Sequence, residues 1–235
     1  MGNLCIIPAR GGSKRIPKKN CKFFLGKPII AYSIETALQS GFFDEVMVST
    51  DDEEIAQIAG SYGASIPFSR SKKNSDDFAT TVEVLLEVLQ EYGQRQKTFA
   101  NGCCIYPTAP FVSPQLLKNG YHTFIEEKFD VLFPVVDFGY PVWRGLRRED
   151  NGKTQLIWPE NETKRSQDLP KVYHDAGQFY WFNCKAAIAN RSLFSNNTGT
   201  IEISDFVCQD IDTEADWKLA EIKYKYFVNH GITGE

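Results

Sequence analysis

A chain of 235 residues with 42% hydrophobic and 24% charged side chains has a globular composition. At this size folding buries roughly 70% of the surface of the unfolded chain, so a core forms without a metal or disulfide staple. Twenty-six basic against thirty acidic residues give a formal charge of -4, which argues against a nucleic-acid coat or a polybasic membrane anchor. No run of about 18 apolar residues occurs and Met1 to Ile7 lacks the pattern of a signal peptide, so a cytoplasmic chain without a membrane partner is expected. Cys5, Cys21, Cys103, Cys104, Cys184 and Cys208 include no C-x-x-C pair and read as free, mostly buried thiols.

In chain order, Leu4 to Pro8 is a short apolar run ending at a basic, glycine-bearing segment. Pro28 to Ser40 then places apolar residues at Ile30, Ile34, Ala37 and Leu38, so strand, loop and helix are expected. Glu45 to Ser49 is a second strand, followed by a helix with Ile55, Ile58, Ala59 and Tyr62 on one face. The same spacing recurs at Val82, Leu85, Leu86 and Leu89. Gly102 to Tyr106 and Val131 to Val136 are continuous apolar runs of strand length, with a helix over Pro114 to Glu127 between them. Continuous apolar strands alternating with amphipathic helices predict an α/β fold, a mostly parallel sheet covered on both faces. The alternation lapses over residues 139–170, where a hairpin around Asn151-Gly152 is expected; this segment is an excursion from what is otherwise a single domain, residues 1–235. Strands return at Phe179 to Asn183 and Glu202 to Asp210. A last helix carries Trp217, Ala220, Tyr224 and Phe227, and the tail after Val228 is expected to fray.

The segment Ala9 to Asn20 holds Arg10, Lys14, Arg15, Lys18 and Lys19 with no acid, in a chain that is otherwise net negative. It leaves the carboxyl end of the first strand, where α/β sheets bind nucleotides. Gly11 and Gly12 lack Cβ, so backbone N–H groups can approach phosphate oxygens closely. The segment is neither a Walker A loop nor G-x-G-x-x-G, which removes the main support for an ATPase or a dehydrogenase. Nucleic acid is disfavoured because a phosphate backbone normally meets several basic patches and this chain offers one.

Late in the chain, Asp210-Ile211-Asp212 ends the strand expected from Glu202, and residues two apart on a strand face one side. Two carboxylates at one spot repel unless a cation or water intervenes. Mg²⁺ suits them, since it commonly takes one or two carboxylates plus substrate phosphates. Asp212 or Thr213 also fits as the cap of the last helix, with Thr213 and Asp216 in a capping-box pattern. The earlier doublet Asp51-Asp52 reads as part of a helix start, with Thr50 and Glu53 in the same pattern.

A cationic glycine loop and a late Asp-x-Asp together describe a nucleotidyltransferase, in which cations hold a triphosphate and metal neutralises charge at the leaving pyrophosphate. The run Ile7-Pro8-Ala9-Arg10-Gly11-Gly12-Ser13-Lys14-Arg15-Ile16-Pro17-Lys18-Lys19-Asn20 resembles the signature of the acylneuraminate cytidylyltransferases, the CMP-sialic acid synthetase family. The similarity spans nearly the whole chain and includes Ser49 to Ala56, Tyr106 to Phe111, Arg165 to Pro170 and the Asp210/Asp212 pair. In Ser166 to Trp181 the chain departs from the sialic acid pattern. Ser166 stands where a second arginine is usual, and Asp175-Ala176 precede Gly177. This stretch resembles the branch that uses a different nonulosonic acid; N-acetylneuraminic and legionaminic acids are the alternatives, and KDO is less favoured.

The resemblance implies a Rossmann-like three-layer nucleotide-diphospho-sugar transferase fold, Mg²⁺ as cofactor, CTP and a nonulosonic acid as substrates, and a homodimer whose excursion reaches the partner subunit. Arg10 and Lys14 would bind the triphosphate with Ser13 and the backbone of Ala9, Gly11 and Gly12. Asn20, Arg70 and Thr81 would contact the cytidine, and Asp210 and Asp212 the metal. Without the resemblance, Arg70 reads as a solvated loop residue and Thr81 as a helix start. The acceptor's carboxylate calls for an arginine. Arg165 is the candidate, with Gln167 beside it, and Tyr173, Tyr180 and Trp181 could offer apolar faces or simply pack in the core. No general base is assigned. The rival from another class is a non-catalytic nucleotide-sugar or RNA-binding protein on the same sheet.

Overall fold

The computed structural model describes residues 2–230, with side chains through Val228. Its strands are β1 (Asn3–Pro8), β2 (Phe23–Phe24), β3 (Lys27–Pro28), β4 (Glu45–Ser49), β5 (Asn101–Ile105), β6 (Val131–Asp137), β7 (Leu146–Arg148), β8 (Thr154–Leu156), β9 (Tyr173–Asp175), β10 (Phe179–Asn183) and β11 (Thr198–Glu202). The helices are α1 (Ile29–Ser40), α2 (Glu53–Ser61), α3 (Thr81–Gln94), α4 (Pro114–Glu126), α5 (Cys184–Asn190) and α6 (Glu214–His230). The tail beyond His230, where fraying is expected, lies outside the described residues.

The main sheet has the order β11-β6-β10-β5-β1-β4, with β9 also paired to β6. β4, β1, β5, β6 and β11 run one way, and β10 and β9 run against them. Successive strand residues point to opposite faces, and the core divides accordingly. Cys5, Ile7, Cys103, Phe179 and Trp181 pack with α1, α2, α4 and α6, whereas Leu4, Ile6, Cys104 and Phe182 pack with α3 and α5. These strands read as continuous apolar runs because both faces are covered. The result is the three-layer, mostly parallel arrangement expected from the sequence. Trp181 belongs wholly to the core: it is 0% exposed and its Nε1 donates to Leu117 O at 3.2 Å, so it is not a sugar contact.

One strand differs from expectation. Glu202 to Asp210 is not a strand; β11 ends at Glu202, a 3-10 turn follows at Asp205–Val207, and Asp210 and Asp212 lie in the irregular stretch leading to α6. The Ser204 side chain starts the turn by accepting a hydrogen bond from Phe206 N, local competition that serine offers a strand. In the excursion, β7 and β8 form the expected antiparallel hairpin, and Gly152 adopts φ 86° in its loop. No helix among the described residues is long and apolar enough to cross a membrane.

Candidate active site

β4 and β5 flank β1 on opposite sides, so the connections after β1 diverge and open a crevice at its carboxyl end. The basic loop begins there. Ala9 N donates to Ser49 O at 2.9 Å and Gly11 N to Asp51 Oδ1 at 3.1 Å, tying the loop to the end of β4. Asn20, buried, donates from Nδ2 to Arg10 O at 3.0 Å and so fixes the loop from beneath. The cap of α2 is Asp52, which accepts from Ile55 N; Thr50 Oγ1 instead accepts from Asp52 N at 3.1 Å, so the Thr50/Glu53 box is not what forms. A Cβ on Gly11 would stand 2.5 Å from Asp52 Oδ2. Gly11→Ala is therefore expected to push the loop off β4 or disturb the cap, costing about 1 kcal/mol of stability. Thermal melting checks this, and an unchanged midpoint would contradict it.

Arg10 Nη1 lies 2.8 Å from Asp77 Oδ1 and donates to Asp76 O at 2.7 Å, while Lys14 Nζ pairs with the other Asp77 oxygen. These contacts hold the Asp77 carboxyl below its ordinary pKa, Lys14 contributing most. On the other flank, Asp212 Oδ1 is 2.8 Å from Arg15 Nη2 and 3.5 Å from Lys19 Nζ, and Lys19 also donates to Ile211 O at 2.7 Å. Arg10, Ser13, Lys14, Arg15, Lys19 and Asp212 line one small cavity of about 70 Å³. The early cations and the late carboxylates meet.

Loss of the expected strand leaves the two carboxylates in reach of each other: Ile211 is fully buried, Asp210 is exposed and Asp212 half-buried, and the charge of Asp212 acts on Asp210. Asp210 is accessible, yet its crowded surroundings, and secondarily the charge of Asp212, raise its pKa. Capping duty falls elsewhere: Asp216 N donates to Thr213 Oγ1 at 3.2 Å and Thr213 N to Asp216 Oδ2 at 2.7 Å. The Asp212 carboxylate is thus free of the helix start. Among the described residues no group of three or more His, Cys, Asp or Glu is placed to hold a metal ion. The Asp210/Asp212 pair still fits Mg²⁺, which needs only one or two carboxylates when phosphates complete its shell. The Asp212 repulsion that adds to the effect of burial on Asp210 is what a hard cation relieves.

Arg70 is not a solvated loop residue. It is 7% exposed, with Nε donating to Ser49 Oγ at 3.1 Å and Nη2 to Ser49 O at 2.6 Å, beneath the end of β4. Desolvation lowers its pKa, opposed by Asp51 and Glu87. Thr81 opens α3 after the Thr80/Glu83 capping box, and its Oγ1 lies 3.2 Å from the Tyr106 hydroxyl.

Thr81, Tyr106, Tyr180, Arg191 and Phe194 line a second cavity of about 450 Å³ on the α3/α5 face. The Tyr180 hydroxyl donates to Asp175 Oδ2 at 2.5 Å, and burial pushes its pKa far upward. The other expected sugar contacts do not line this cavity. Arg165 forks onto Asp168, at 2.8 and 3.1 Å, and Tyr173 donates to Glu202 at 3.0 Å. Gln167 lines a separate cavity of about 440 Å³ in the excursion. Sequence reasoning missed Asp76 and Asp77, whose contacts to the loop span 66 and 63 positions and have no local signature. It counted Arg15 and Lys19 in the charge run but gave them no role.

A sheet of this topology with a cationic first loop facing a carboxylate pair defines a nucleotidyltransferase. The chain matches the family described as Cytidylyltransferase over residues 4–211. It is 44% identical to a pseudaminic acid cytidylyltransferase of Campylobacter jejuni, covering 98% of both chains. It is 32% identical to a CMP-N,N'-diacetyllegionaminic acid synthase of Legionella pneumophila, covering 93% of this chain and 94% of that one. Among solved structures, a CMP:2-keto-3-deoxy-manno-octonic acid synthetase complexed with CTP has the same fold, with a TM-score of 0.70 at 18% identity over 97% of this chain and 100% of that one. The chain belongs to the cytidylyltransferase family.

Proposed function

We propose that the chain transfers CMP from CTP to pseudaminic acid and releases pyrophosphate, supplying a donor for glycosylation of flagellin or the bacterial cell surface. The observation that carries the transfer reaction is the single cavity in which Arg10, Lys14 and Arg15 meet Asp212. The choice of acid rests on the similarity across 98% of the Campylobacter relative and on Ser166 and Asp175-Ala176 in place of the sialic acid pattern. Transfer to N,N'-diacetyllegionaminic acid is the second reading, favoured by the Legionella relative.

The anomeric hydroxyl attacks the α-phosphorus in line with departing pyrophosphate; one P–O bond forms and the bond to the β-phosphate oxygen breaks. Positioning and charge stabilisation supply most of the acceleration in such transfers. Arg10 and Lys14 exchange the Asp77 carboxylate for the triphosphate and offset charge on the leaving group. Ser13 and the amides of Gly11 and Gly12 contact phosphate oxygens, and Asn20, Arg70 and Thr81 bound the cytidine site. Asp210 and Asp212 would hold Mg²⁺, which supplies positive charge to the phosphate oxygens when bound.

The exposed apolar residues Tyr140, Leu146 and Ile157 make the excursion suitable as a subunit interface. In a homodimer joined there, Arg165 and Gln167 would serve the acceptor bound to the neighbouring subunit. Arg165→Ala is expected to raise the KM for the sugar acid about tenfold with CTP affinity unchanged. Calorimetry with CTP alone separates the two, and equal loss of both would contradict the assignment.

The reaction is tested by pyrophosphate release from CTP and Mg²⁺ with pseudaminic, N,N'-diacetyllegionaminic and N-acetylneuraminic acids compared side by side. Fastest release with pseudaminic acid is expected. Release favouring another acid reassigns the acceptor, and none with any acid leaves only a nucleotide-sugar binding role.

A further inference from the structure

We infer that Arg191 is the cation that meets the acceptor's carboxylate from within the subunit's own cavity. The inference deepens the reaction proposed above and rests on it. In a 2-keto sugar acid the carboxylate is attached to the carbon that bears the attacking hydroxyl. A fixed negative charge therefore approaches the α-phosphate together with the nucleophile, and some cation must offset it. Arg10, Lys14, Arg15 and Lys19 are committed to the phosphate side of the site. Arg165 lies outside the cavity that holds Tyr180 and would reach an acceptor only across a subunit interface.

Of the residues that line the 450 Å³ cavity, Arg191 alone carries a positive charge. Its guanidinium makes no ion pair or hydrogen bond among the described residues, and its charge contributes least among the causes that lower the Glu83 pKa. Glu83 lines the same cavity, its carboxylate accepting from the N–H and hydroxyl of Thr80, both at 2.9 Å, and it makes no ion pair with Arg191 among the described residues. The cavity also receives the first turn of α3 at Thr81 and Val82, the positive end of a 14-residue helix. Arg191 and the helix start thus bring positive potential to a space that also holds the Glu83 carboxylate and that Tyr106, Leu193 and Phe194 otherwise make apolar.

Arg191 takes φ 48° as the C-cap of α5, a left-handed position where glycine or asparagine is the default, with its N–H bonded to Ala187 O at 2.9 Å.

The variant Arg191→Asn suits the test, because asparagine accepts the left-handed backbone and preserves the helix end. Its KM for pseudaminic acid is expected to rise about 10- to 100-fold with the KM for CTP unchanged, the range for losing a charge-assisted contact. The methyl ester of the acid, which lacks the charge, should lose the same factor with the unaltered chain and nothing further with the variant. Arg191→Lys should restore part of the loss. An unchanged KM for the acid, or equal losses for acid and ester on substitution, would overturn the role. No turnover of any nonulosonic acid by the unaltered chain would remove the reaction itself, and the role of Arg191 with it.

Discussion

Asp212→Asn is expected to lower turnover by roughly 10² to 10³, the range for removing one preorganised electrostatic group. The substitution is close to isosteric and removes only charge. Thr213 and Asp216 form the helix cap between themselves, so α6 keeps its start. The ion pair to Arg15 is solvent-accessible, with the two side chains 67% and 36% exposed, so its loss costs less than about 1 kcal/mol. Activity should therefore fall far more than stability does. Saturating-substrate kinetics beside a thermal melt make the comparison. Turnover within a few-fold of the unaltered chain would reduce Asp212 to an anchor for Arg15.

Arg10→Ala carries the second large effect, a fall of about 10² in kcat/KM for CTP. Arg10 shares Asp77 with Lys14, which places both cations around one anion in the free protein. In the proposed reaction the pair would receive phosphate oxygens when that anion is exchanged. Arg10→Lys should recover little, since a lysine offers a point charge in place of a planar fork. The side chain is about one-third exposed, so stability is expected to move by no more than a few tenths of a kcal/mol. Steady-state kinetics with varied CTP check this, and an unchanged kcat/KM would leave the triphosphate to Lys14 and the backbone.

The sheet was legible because its signals are local. β4 and β10 have the predicted bounds, Glu45–Ser49 and Phe179–Asn183, since continuous apolar runs are what a doubly covered strand requires. β11 was misplaced because the apolar residues Ile203, Phe206 and Val207 prolong the pattern, while the Ser204 side chain bends the chain into a turn. In the site, Gly11 and Asp212 were legible from residue type and spacing, whereas Arg70 was not. Its burial under Ser49 depends on where β4 ends in space, which no neighbouring residue encodes.

By itself the sequence determined that one loop carries the positive charge, that one late segment carries paired carboxylates, and that alternating strands and helices bring strand ends to one edge. Only the tertiary structure decided which charges meet. The contact from Lys19 to Ile211 spans 192 positions. Hydrophobic periodicity sets which face of an element is buried and leaves open which distant side chain lies opposite. That is why Asp77 and Arg191 became visible only once β1, α3 and α5 were packed around the same sheet.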